Sequence, residues 1–181
     1  MLSRKKAIER IGAALRVLAI EADEVQFTIN YQPKWGFKDS PRAQILIYDL
    51  ENFALILYGN ARYSSIDHEM CHFKLVRMGI PFVGYENVDR IFFRDLGVRF
   101  ALARISEWYT NNLHKRYFYD DGRASLSFYD TVDQELIRKL PPLPVDSFSD
   151  EEIEKIVTIA KENSNLYYRY GELEAKRSDE S

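Results

Sequence analysis

One cysteine, Cys71, stands in a chain of 181 residues, so no intramolecular disulfide can form. That fits a reducing compartment, and a cytoplasmic protein is expected. Long apolar runs are absent as well. No stretch approaches the ~20 residues that cross a bilayer. After Arg4, Lys5 and Lys6, the charges of Glu9, Arg10 and Arg16 interrupt the sequence before a signal-peptide core could form. A strong charge of either sign is missing too. The formal net charge is −3, which gives no general argument for nucleic acid or an anionic membrane surface as partner. No internal repeat is visible. Histidine is scarce: the chain has three, so where they fall carries weight.

What is present is material for a core. Hydrophobic residues make up 46% and aromatics 14%, enough for one packed domain with an appended helix and too much for global disorder. Ile8, Ile11, Leu15 and Leu18 recur at helical spacing, with Ala7, Ala14 and Val17 beside them. They predict an amphipathic helix over residues 4–21. Val25, Phe27 and Ile29 alternate with Gln26, Thr28 and Asn30, as in a half-buried strand. Pro33, Gly36, Ser40 and Pro41 mark a loop in which Trp35 and Phe37 cover the core edge. Residues 43–50 predict a second strand. Residues 53–58 (FALILY) read equally as a strand or as the start of a helix.

Further on, Ser64 or Ser65 is a candidate cap for a helix running to about Met78, where Gly79 and Pro81 end it. A long helical pattern begins near Glu86 and continues through Ile105, with Arg94, Arg99 and Arg104 on a solvated side. Asp121-Gly122 between aromatic segments signals a hairpin. Residues 141–144 (PPLP) form a stiff spacer. Ser149-Asp150-Glu151-Glu152 then reads as a capping box opening a helix to about Glu162. The charged end of the chain is expected to fray.

The stretch that carries chemistry is His68-Glu69-Met70-Cys71-His72, a His-Glu-x-x-His pattern. Two imidazoles four residues apart project from one face of a helix, one turn above the other. Both can reach a single zinc ion. Glu69, one residue round, can take a proton from a zinc-bound water. The pattern falls where a helix is expected on independent grounds. Ile66, Met70, Cys71 and Phe73 are uncharged, so the segment should be buried, and a buried histidine pair needs a reason. The bland alternative is a pair of hydrogen-bonded core histidines. Asp67 reads as acid near a helix N-terminus, and Cys71 as a small core hydrophobe.

Catalytic zinc usually keeps three protein ligands and one open position. Glu86 is the candidate third ligand, at the start of the next helical segment and fourteen residues after His72. Asp89, one turn later, can orient a ligating imidazole or replace Glu86. His114 is the rival, because imidazole is the better zinc ligand. On one unbroken helix Glu86 and His114 would lie about 40 Å apart, so they cannot both be ligands. Tyr85 and Tyr109 could stabilise an oxyanion, although nothing singles them out.

These residues resemble the zincin metallopeptidases. Asp67 through His72, with an apolar strand-rich region ahead, is similar to the metallopeptidases of phages and related mobile elements. SprT-like and ImmA/IrrE-type peptidases are more distant. The chain departs from the phage-type group at Glu86, where a histidine is usual, and at Lys74, where zincins carry an apolar residue. The resemblance implies an α+β fold: a zincin-like core with a small mixed sheet packed on the motif helix and a second long helix, then a C-terminal hairpin and helix. The resemblance covers roughly residues 43–106; with the proline spacer and the C-terminal helix read above, the expected division is a zincin-like catalytic domain over residues 1–140, a proline-rich linker over 141–148, and a C-terminal helix and charged tail over 149–181.

The expected function is that of a zinc-dependent hydrolase. Its substrate would be a peptide or protein, with Zn2+ on His68, His72 and Glu86 and with Glu69 as general base. No membrane association is expected. The alternative is a non-catalytic interaction protein with a zincin-like shell, whose C-terminal helix and aromatic hairpin bind a partner. A nucleic-acid role for Arg94, Arg99, Arg104, Lys115 and Arg116 is weaker still, given the net acidity.

Overall fold

The computed structural model describes residues 2–33, 42–81, 96–118 and 134–165. The fold is α+β, with a three-stranded mixed sheet and five α-helices among the described residues. The elements are α1 (Arg4–Val17), β1 (Gln26–Gln32), β2 (Ala43–Ile47), β3 (Asn52–Tyr58), α2 (Tyr63–Arg77), α3 (Leu96–Tyr117), α4 (Gln134–Lys139) and α5 (Asp150–Glu162). They fall into two compact units, Met1–Arg77 with Thr110–Asp121, and Met78–Tyr109 with Gly122–Ser181. No helix among the described residues is long and apolar enough to cross a membrane.

In the first unit the strand order is β1-β3-β2, with β1 parallel and β2 antiparallel to β3. Burial on both faces explains the ambiguous run FALILY. A strand covered on both faces can be apolar almost throughout and lose the alternation that identifies a half-exposed strand. Phe53, Ala54, Leu55, Leu57 and Tyr58 are all buried. β1 keeps its alternation, with exposed Gln26, Thr28 and Asn30 between Phe27 and buried Ile29. Phe53 stacks on Phe27 at 5.4 Å between ring centroids and meets Phe73 of α2 at 4.9 Å, so aromatic contacts tie the sheet to the motif helix.

α1 ends at Val17, short of residue 21, and its buried stripe is Ala7, Ile11, Ala14 and Leu15. Ile8 is 43% exposed and falls outside that stripe. Arg10 lies on the flank facing α2. Its Nε and Nη2 donate to the two carboxylate oxygens of Asp67, the first at 2.7 Å. Asp67 is only 3% exposed, so its role is a buried ion pair and not electrostatics at a helix terminus. The rings of Tyr63 and Phe118 flank the guanidinium at 5.6 and 5.9 Å.

Removing one partner of such a pair strands the other charge. Arg10→Met is therefore expected to destabilise this unit by about 3–5 kcal/mol, read from urea denaturation. The double replacement Arg10→Met with Asp67→Leu should recover most of that loss.

α2 begins at Tyr63, before either candidate cap; Ser65 instead accepts from the Arg62 amide. Its last turn is pinned by Arg77, which donates to the Leu50 carbonyl and to Glu24, each at 2.8 Å.

In the second unit Gly79 takes φ +103°, the left-handed conformation that stops a helix. Tyr109 is fully buried, and its hydroxyl donates to the Pro141 carbonyl at 2.6 Å. Burial pushes that phenol well above its ordinary pKa, with the nearby charge of Glu152 adding to the effect. Phe148 packs on the Tyr109 ring, and its amide bonds the Met78 carbonyl at 3.0 Å. α5 opens with the expected capping box between Ser149 and Glu152.

Residues 34–41, 82–95, 119–133 and 166–181 lie outside the description. With them go the expected loop around Trp35, the start of the second long helix, the Asp121-Gly122 hairpin and the charged tail.

Candidate metal centre

The side of α2 made by Ile66, Met70 and Phe73 is sunk in the core, and burial continues round the helix through Asp67 and Cys71 to Leu75. That anchoring fixes the rotation of the helix. It leaves His68, Glu69 and His72 half-buried together. The two imidazole rings lie 5.0 Å apart, edge to face, as expected for residues four apart on one helix face.

Cys71 is fully buried and free. Burial raises its thiol pKa steeply, with the charges of Asp67 and Glu69 adding to the rise. A thiol held protonated is a poor ligand, which agrees with reading Cys71 as core packing.

α3 supplies the other wall. Thr110 is buried, and its Oγ1 lies 3.0 Å from His72 Nδ1. When Nδ1 carries the proton, the hydroxyl accepts it, and that tautomer leaves His72 Nε2 to bind a metal. His114, one turn further on, sits with its ring 6.3 Å from that of His68 and stacked on Phe118. All three histidines of the chain thus gather at one place.

Glu107 belongs to the same stripe. On a continuous helix Glu107, Thr110 and His114 recur at i, i+3 and i+7, which is one face. One ligand atom from each of His68, His72 and Glu107 falls within 4.8 Å of the others. Two imidazoles and a carboxylate are a donor set that zinc accepts.

Glu69 faces the sheet. β2 is an outer strand among the described residues, and its residues alternate in the direction of their backbone groups. The Tyr58 amide bonds the Arg42 carbonyl and the Tyr48 amide bonds the Asn52 carbonyl, so the even-numbered residues turn toward β3. The odd-numbered ones turn outward. The outward amide of Ile45 donates to Glu69 Oε2 at 3.0 Å.

Of the residues expected from sequence, His68, Glu69 and His72 are brought together, and His114 stands beside them. Glu86, Asp89 and Tyr85 lie outside the described residues. The hydroxyl of buried Tyr109 is committed to the bond with Pro141.

Glu107 and Thr110 were missed because the search for a third ligand stopped at the start of the following helix. The available signal was a polar stripe, Glu107, Thr110, Asn111 and His114, beyond the apolar pattern that ends near Ile105. Thr110→Val keeps the side-chain shape and removes the hydroxyl. It is expected to weaken metal binding by about 10–100-fold without loss of fold, measured by competition with a chromogenic chelator.

No known protein family, curated protein or solved structure matches this chain.

Proposed function

We propose that this chain is a zinc-dependent hydrolase acting on peptide bonds. The reading rests on one observation, the convergence of His68, His72 and Glu107 with Glu69 adjacent on the motif helix. A divalent ion held there would supply Lewis acidity and a water acidic enough to ionise near neutral pH. Glu69 would accept the proton from that water and pass it to the leaving amine. Thr110 would hold the His72 ring in the ligating tautomer.

The likeness of the five-residue motif to zincins favours peptides over other carbonyl substrates. The lone buried thiol fits a cytoplasmic setting. The test is cleavage of a quenched-fluorescent peptide library by the purified chain. Cleavage that stops with a chelator and returns with added Zn2+ supports the reading. Cleavage indifferent to both, or none from a metal-loaded protein, opposes it.

A further inference from the structure

We infer that the backbone amide of Ile45 positions Glu69, so that the outer edge of β2 is part of the catalytic apparatus. The inference deepens the hydrolase reading and rests on it.

Among the described residues β2 forms the edge of the sheet, and the outward amide of an edge strand needs water or a partner. Here the partner is a carboxylate oxygen on the motif helix, Glu69 Oε2 at 3.0 Å. The donor is stiffly held. Ile45 pairs with Leu55 across the ladder, its side chain is buried, and α2 packs directly against β2.

A glutamate has three rotatable side-chain bonds, and a hydrogen bond from a fixed backbone amide narrows the rotamers it samples. With Oε2 tied to that amide, the carboxylate is held in the orientation that would serve proton transfer beside the two imidazoles. A base held in one orientation acts with the advantage of proximity. The position of Ile45, 24 residues before Glu69, explains why no local motif announces the bond.

The experiment combines amide exchange with kinetics on the zinc-loaded full chain. The Ile45 amide should exchange about 100-fold more slowly in the wild type than in Glu69→Ala, while the outward amides of Ala43 and Ile47 stay unchanged. Ile45→Pro removes the donor where no ladder bond is lost. It should lower kcat about 10–100-fold with KM and zinc content unaltered. Should that variant fail to fold, Glu69→Asp serves instead. It keeps a carboxylate but is one methylene too short to reach both the amide and the reacting water. It should lose Ile45 protection and kcat together, again with zinc retained.

An active, zinc-loaded wild type whose Ile45 amide exchanges as fast as in Glu69→Ala overturns the anchor alone. So does an Ile45→Pro protein with undiminished kcat. A wild type that binds no stoichiometric metal overturns the hydrolase reading, and the positioning role with it.

Discussion

Glu69→Gln is expected to keep a full equivalent of metal while hydrolysis falls by about 10²–10⁴-fold, the usual contribution of a positioned general base. The substitution is nearly isosteric. The amide oxygen of glutamine can still accept from Ile45 N–H, so the sheet contact and the helix should survive. What is lost is the ability to accept a proton. Metal analysis and steady-state kinetics on the same sample separate the two effects. Undiminished hydrolysis would remove Glu69 from the mechanism.

The second large effect is expected at Glu107. Glu107→Ala deletes one of three converging ligands. Its cost in metal affinity should exceed the ~10–100-fold expected for Thr110→Val, which touches only the outer side of His72. Chelator competition on both variants gives the ranking. Glu86→Ala, at the position favoured by sequence alone, should leave the metal bound. A protein that loses metal on Glu86→Ala and keeps it on Glu107→Ala would reverse the assignment.

The sequence made local features readable because their causes are local. Two histidines four apart share a face of any helix, and α2 delivers that. The capping box at Ser149 needs only its own four residues, and it forms. β1 alternates because one side of it is wet.

Other features depend on partners distant in the chain. β3 reads ambiguously because both of its faces are buried, and its partners, such as Phe73 against Phe53, lie far along the chain. Asp67 is a bland acid until α1 brings Arg10 to it from 57 residues away. Ile8 has the right spacing for the core, yet it falls at the margin of the buried stripe of Ala7, Ile11, Ala14 and Leu15 and faces out. Glu107 was hidden for the same reason. Nothing in its neighbourhood marks it as a ligand, and only the placement of Thr110 and His114 against the histidine pair shows where that face of α3 points.

The central claim is that the histidine pair of α2 holds a metal with help from a carboxylate on α3. X-ray absorption at the zinc edge of the purified chain tests it most directly. The account predicts one equivalent of zinc in a shell of nitrogen and oxygen at about 2.0–2.2 Å, with two imidazoles resolved. Absence of stoichiometric metal, or a sulfur ligand at about 2.3 Å from Cys71, would contradict it.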